Sequence, residues 1–282
     1  MEYLLHLSIL ISIYIMLAHS LSLSAGYSGL ISLSHAGFYG LGAYTSAILS
    51  VNYQMPFLFS TIVAMLICGF TAIVISSVSL RIVDDYFIIV TLAIQIVIFS
   101  ILNNWQSLTR GALGISGIPS IEISGIIFDK KIHYLGLSII LAAIMWYLLK
   151  NVSNSPFGRL LIAIDEDEVF TKSLGKNVYK AKIISFTVSA MAAAIPGVVY
   201  AHYISYIDPT SFTIDESIFI LSIVIIGGMR DMLRIALSTA FLVLLPEVLR
   251  FVGIPSGAAA NLRQILYGGI LVFVVFKTNE NK

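Results

Sequence analysis

Between Glu2 and Arg81 the chain carries no Asp, Glu, Lys or Arg, and the three histidines in that stretch, His6, His19 and His35, stand alone. No water-soluble fold buries so long an uncharged segment. A bilayer does, because its core of about 30 Å calls for roughly 20 apolar residues per helix. Lipid offers backbone N–H and C=O groups no partner, and a helix satisfies them internally. Further uncharged runs at 86–109, 132–149 and 183–207, with shorter ones at 217–229, 235–246 and 264–276, supply more spans.

Runs and breakers together predict helices at 4–24, 34–50, 56–80, 86–103, 133–150, 183–205, 214–229, 233–251 and 261–277. The second, flanked by Gly and Ser, reads equally as a full span or a short re-entrant helix, so the sequence predicts eight or nine membrane helices. The chain starts Met1-Glu2-Tyr3 without the basic residues that open a secretory signal, so its first run is expected to stay as a span. A membrane β-barrel needs alternating segments of about ten residues with a polar face. Uninterrupted runs such as 235–246 argue against it.

Basic residues in short loops are held on the cytoplasmic side. Placing 150–182 inside puts eleven Lys and Arg inside and five outside, namely Arg110, Lys130, Lys131, Arg250 and Arg263. The side of the amino terminus stays open, because it depends on whether 34–50 crosses. A formal net charge of +1 gives no sign of a nucleic-acid partner. Cys68, the single cysteine, excludes an intrachain disulfide.

Small residues recur every fourth position at Ser28, Ser32, Ala36 and Gly40, and again at Ser185, Ser189, Ala193, Gly197 and Ala201. Such strips let helix backbones touch where no hydrophobic effect drives them together. Close packing is the simpler reading, and movement of one helix against another is the functional one. Pro196 adds to the second, since it removes a backbone hydrogen bond from its helix.

The most informative polar segment is 151–182. Ser155-Pro156 reads as a helix start and Gly175 as a stop. Between them lie Asp165-Glu166-Asp167-Glu168 and an apolar ridge of Val169, Phe170 and Leu174, which reads either as a solvated loop or as a grip for a partner. His19, His35 and His202 lack neighbours at metal-ligand spacing and are expected to be packed. Glu247, next to Pro246, is expected to pair with Arg250 one turn on. Hydrolase, zinc-protease and phosphate-loop motifs are absent from the sequence.

Four segments, in order over about 200 residues, carry a resemblance. They are Gly26-Tyr27-Ser28-Gly29-Leu30-Ile31-Ser32-Leu33-Ser34-His35-Ala36-Gly37-Phe38 running to Gly42-Ala43-Tyr44; Tyr86-Phe87-Ile88-Ile89-Val90-Thr91-Leu92-Ala93 with Gly114-Ile115-Ser116-Gly117-Ile118-Pro119; Ser155-Pro156-Phe157-Gly158-Arg159 with Ser173-Leu174-Gly175; and Tyr200-Ala201-His202-Tyr203 with Gly227-Gly228-Met229. Together they resemble the membrane permease subunits of ABC importers for branched-chain amino acids. The 104–132 loop and the Ser155–Arg159 segment resemble the M-type subunit.

The resemblance implies an all-α, polytopic transmembrane helical bundle, a single permease domain over 1–282 in the cell membrane. It implies a sister permease subunit, two cytoplasmic ATPase subunits that hold ATP and Mg, and an extracytoplasmic solute-binding protein. This chain itself would bind no cofactor and hydrolyse nothing. Residues 155–175 become the ATPase-coupling segment, with Phe157, Gly158, Arg159, Asp165, Glu166, Glu168, Phe170, Leu174 and Gly175 as its candidates. Uncharged polar groups at Ser32, Ser34, His35, Tyr44, Thr91 and Asn103 become candidates for lining the solute path. The chain departs from the family pattern in two places: Phe170 and Thr171 stand where alanines are expected and Asp165 where a basic residue is, and Arg230-Asp231 with Arg234 stand where glycines continue. A self-contained secondary transporter or channel is the alternative, and it would place ionisable groups or interrupted helices near the midplane.

Overall fold

The computed structural model describes residues 2–80, 86–123, 125–251 and 268–269. Its long helices are α1 (Glu2–Ser22, continuing as a π-helical turn, Leu23–Tyr27), α2 (His35–Tyr53), α3 (Phe57–Ser79) and α4 (Phe87–Asn104). After a four-residue helix, α5 (Gln106–Thr109), come α6 (Lys131–Asn154), α7 (Pro156–Glu166), α8 (Glu168–Ser173), α9 (Val178–Ile204), α10 (Ile214–Ile226) and α11 (Met232–Phe251). Strands are two residues long: β1 (Ile115–Ser116) pairs antiparallel with β4 (Tyr206–Ile207), and β2 (Glu122–Ile123) with β3 (Ile126–Ile127).

Among the described residues, six helical stretches are long and apolar enough to cross a membrane: Glu2–Tyr27, Phe57–Ser79, Phe87–Asn104, Lys131–Asn154, Val178–Ile204 and Pro209–Ile226. This is fewer than the eight or nine expected. α2 is diluted by Gly, Ser and Tyr, and α11 carries Arg234, Glu247 and Arg250. The predicted helix 261–277 lies outside the described residues, as do Arg81 and the Glu247–Arg250 pairing. α9 starts at Val178, five residues before the predicted 183, because Asn177 caps it by accepting from Lys180 N at 2.9 Å.

The helix ends sort into two faces. Glu2 pairs with Lys131 at 3.1 Å, and His6 Nδ1 lies 2.6 Å from the Tyr203 hydroxyl, so α1 begins where α6 begins and α9 ends. At its other end Gly26 and Tyr27 meet Arg230, which pairs with Asp165. The amino terminus therefore lies on the face opposite the 155–182 segment.

α1 and α9 form the centre, with α2 and α3 each packed on α9 and on each other. In the apolar windows of α1 and α9, 56% and 61% of residues are buried, against 28% for α3, α4 and α6. The outer helices turn apolar stripes outward: Leu58, Ile62, Leu66 and Phe70 on α3, Ile139, Ile140, Ile144 and Tyr147 on α6, Leu233, Leu237 and Phe241 on α11. Apolar surface on that scale suits lipid and is foreign to water.

The strip on α9 holds: Ser185, Ser189, Ala193, Gly197 and Ala201 are all buried. A Cβ on Gly197 would sit 2.2 Å from Tyr39 O, and one on Gly42 2.7 Å from Ala194 Cα. Backbone touches backbone there, and Ser189 Oγ donates to Ser20 O at 2.6 Å across the α1–α9 contact. The other strip does not form one helix face. The chain leaves helix after Tyr27 and re-enters at His35, so Ser28 and Ser32 lie in a break and only Ala36 and Gly40 ride on α2. Gly29 turns the chain there with φ +68, a left-handed conformation that a helix interior lacks.

Gly197→Ala is expected to destabilise the detergent-purified chain by about 1–3 kcal/mol through overpacking against a backbone carbonyl. Gly136→Ala on α6, where a Cβ meets nothing within 4 Å, is expected to be neutral or to stabilise by up to about 1 kcal/mol. Equal melting temperatures for the two variants would refute the close α2–α9 contact.

Candidate functional site

The break between α1 and α2 exposes backbone groups inside the bundle. A helix leaves its first four N–H groups without intrahelical partners, and burying one unpaired costs about 1–3 kcal/mol. The first turn of α2 is served from other helices. Gly37 N donates to Gln95 Oε1 at 2.7 Å, Ala36 N to Ser217 Oγ at 3.0 Å, and, in the break itself, Leu33 N to Thr91 Oγ1 at 3.1 Å. Gln95 Nε2 in turn donates to Phe212 O at 2.8 Å. α4 and α10 thus hold the start of α2 in place.

Four of the six candidate path residues gather at this point. Ser32, Ser34, His35 and Thr91 are all buried, and the Ser32 and Ser34 hydroxyls lie 2.9 Å apart. His35 Nε2 is 2.7 Å from Ser20 Oγ, whose only proton goes to Leu17 O at 2.7 Å, so the imidazole is the donor. Tyr44 is buried two turns further along α2, its hydroxyl without a hydrogen-bond partner among the described residues and its ring 6.0 Å from Phe212. Asn103 stands apart. It is twelve residues beyond Thr91 on α4, about 18 Å at the helical rise, and is only half-buried. Sequence reading overlooked Gln95 and Ser217, although Gln95 is the only amide side chain between Tyr86 and Leu102.

His19 donates to Met232 O at 2.9 Å, which ties α1 to α11. His202 lies between Ser46 Oγ at 2.9 Å and Pro119 O at 2.8 Å, where the 105–130 loop folds back over the ends of α2 and α9. A cavity of about 590 Å³ opens beside it, lined among others by Ser50, Gln54, Phe57, Ser120 and Glu122.

On the opposite face, the 151–182 segment is two helices and not one loop. Ser155 caps α7, accepting from Gly158 N at 3.3 Å with Pro156 at the first helical position. A Cβ on Gly158 would strike Ser153 O at 2.0 Å, so only glycine fits there. Asp167 breaks the segment by leaving helical geometry and capping α8 through Phe170 N at 2.8 Å. Glu168 pairs with both Lys172 and Lys182, holding α8 on α9. Gly175, φ +76, ends the segment. Phe157 packs against the core from a partly buried position, while Arg159 donates to Asn154 O at 3.1 Å. Val169, Phe170 and Leu174 stand 78%, 60% and 62% exposed, an apolar ridge with no cover among the described residues, and Glu166 is exposed beside it. Two of the departures noted in the sequence, Asp165 and Arg230, form an ion pair with each other.

Gln95→Leu is expected to leave the Phe212 carbonyl unpaired and the Gly37 N–H with only Ser34 O at 3.0 Å, and to lower stability by about 1–3 kcal/mol. Thermal unfolding of the purified chain measures it. An unchanged melting temperature would show that α2 is not held through Gln95.

A profile of the branched-chain amino acid transport system permease component matches residues 3–275. The high-affinity branched-chain amino acid transport system permease proteins LivM of Escherichia coli (strain K12) and Salmonella typhimurium are each 31% identical over 261 residues, covering 84% of this chain and 61% of their own length. The guanosine ABC transporter permease protein NupQ of Bacillus subtilis is 32% identical over 115 residues, 40% of this chain and 35% of that protein. The chain thus spans about three fifths of the length of the LivM proteins that it matches, and no solved structure matches it. An all-α, multi-pass membrane bundle matched over nearly its whole length by that profile belongs to the family of branched-chain amino acid transport system permease components.

Proposed function

We propose that this chain is the M-type membrane permease subunit of an ABC importer, forming the path for branched-chain amino acids or similar small polar solutes. The observation that carries the reading is the α7–α8 pair. It is a rigid, doubly capped excursion from an otherwise apolar bundle, and it presents Val169, Phe170 and Leu174 uncovered. An exposed apolar ridge rimmed by acidic residues suits a groove on a partner. In this reading two cytoplasmic ATPase subunits dock there and hold the ATP and Mg, and this chain binds no cofactor.

A sister permease and an extracytoplasmic solute-binding protein complete the assembly. The whole chain acts as one permease domain, with 151–182 as its coupling segment on the cytoplasmic side and the amino terminus outside. α2 and α11 bring the spans to eight, and 261–277 would make nine. Solute delivered at the outer face enters by the cavity beside His202 and passes the uncharged groups near the α1–α2 break. Hydroxyls and a neutral imidazole bind a small zwitterion weakly, which leaves selectivity to the binding protein.

The broken helix at 28–34 is also the feature that favours the second reading, a self-contained secondary transporter, since such proteins bind solutes at interrupted helices. Uptake by the purified chain alone in liposomes, driven by an ion gradient, would decide for it. Under the importer reading, Glu166→Arg and Gly175→Pro are expected to weaken copurification with the ATPase subunits. The first reverses the charge beside the ridge. The second forces a φ near −65° onto a residue held at +76°. If both variants keep wild-type copurification and transport, the coupling assignment falls.

A further inference from the structure

Asp165 and Arg230 are 65 residues apart and belong to different elements, the last turn of α7 and the turn between α10 and α11. Arg230 does more than neutralise Asp165. Its Nε donates to Gly26 O at 2.7 Å, and its own carbonyl accepts from the Tyr27 hydroxyl at 3.0 Å. Arg230 is therefore joined reciprocally to the π-helical turn that ends α1. Such turns leave carbonyls free of the ordinary helical ladder, and here Leu30 N bonds back to Ser24 O at 2.9 Å.

The backbones at this junction leave little slack. A Cβ on Gly26 would lie 2.2 Å from Met229 O, and one on Gly29 would lie 2.3 Å from Asp165 Oδ1. Asp165 thus touches the start of the break directly and reaches Gly26 through Arg230. The turn that carries Arg230 is itself tight, with Gly228 at φ +89 and Met229 at φ +49. From Gly29 the chain runs only a few residues to the Ser32–Ser34 contact and to Leu33, held on Thr91.

We infer that Asp165 and Arg230 are positioning residues that carry displacement of α7 to the broken segment between α1 and α2. The inference rests on the importer reading above and adds to it the contact through which the ATPase-facing helix reaches the solute path. Arg230 lies outside the ATPase-docking segment, so docking and transmission are separable at that residue. Movement of α7 pulls on Asp165, Arg230 follows through the ion pair, and Gly26 and Gly29 shift the residues that bear Ser32 and Ser34. Coupling between distant sites travels through such contiguous contacts, and a measured coupling is what demonstrates it.

The test uses the complete importer, with its sister permease, ATPases and binding protein, in proteoliposomes with radiolabelled leucine. Leucine uptake and ATP hydrolysis are measured together, and their ratio is the readout. Arg230→Gln, outside the ATPase-docking segment, is expected to keep ATPase copurification and hydrolysis while the ratio falls about five-fold or more, the lower end of ordinary allosteric coupling. Asp165→Asn is expected to lower the ratio as far, and the double variant to fall no further than either single one, because both cut one link. Arg230→Lys keeps the charge but loses the bond to Gly26 O, and is also expected to uncouple.

A ratio unchanged in Arg230→Gln, with uptake and hydrolysis falling in parallel alongside the melting temperature, would make the pair a fold stabiliser and overturn the link. Loss of ATPase copurification would place the pair in the docking surface, with the same consequence. Wild-type coupling in Arg230→Lys would mean that charge alone suffices and that Gly26 is not the relay. Should the wild-type complex itself fail to couple hydrolysis to uptake, the importer reading fails first and takes this inference with it.

Discussion

Backbone polar groups inside lipid have no water to turn to, and the break between α1 and α2 is where this chain meets that constraint most sharply. Each unpaired group there would cost several kcal/mol. Gln95, Ser217 and Thr91 reach in from α4 and α10 to serve Gly37, Ala36 and Leu33. Ser185 adds a contact to Ser28 at 3.1 Å from α9. The packing of four helices follows from the need to satisfy one interruption. The same interruption places hydroxyls and an imidazole in the interior, where an unbroken apolar helix would have left none.

Around that point the bundle is held by proximity. In lipid the association of helices depends on close van der Waals contact and interhelical hydrogen bonds. The centre obeys this, with Gly197 against the Tyr39 carbonyl, Gly42 against Ala194 and Ser189 bonded to Ser20 O. Peripheral helices carry large side chains outward instead, where lipid or a neighbouring subunit can meet them. Hydropathy does not rank the helices by burial: α1 and α9 are the more buried although α3 is at least as apolar.

The face that carries α7 and α8 is built on a different principle, since caps and ion pairs work best where water is present. Ser155, Asp167 and Gly175 delimit α7 and α8, Asn177 caps α9, and Glu168 fastens α8 to Lys182. The result holds three apolar side chains out in solvent on a rigid frame. In the proposed importer, that frame would meet the ATPase while Asp165 and Arg230 connect it inward to the break. One end of the molecule would thus receive mechanical work, and the interior would convert it into access to the path.

Much of this was legible from residue order. The uncharged stretch from Tyr3 to Leu80 dictated membrane helices, because charge is what lipid excludes, and most helix bounds fell within a few residues of the prediction. Ser155-Pro156 and Gly175 marked the bounds of the α7–α8 segment because capping is a local property. The i, i+4 strip at 28–40 misled, since the same spacing arises when two short segments straddle a turn. Gln95 and Ser217 went unnoticed because their partners are 58 and 181 residues away. The orientation of the amino terminus and the pairing of Asp165 with Arg230 are likewise relations between distant elements. The sequence by itself determined that the chain lives in lipid and where its helices begin and end, since hydropathy and capping act over a few residues. Only the tertiary structure decided which polar groups meet inside it, because that depends on how separate helices satisfy each other's backbones.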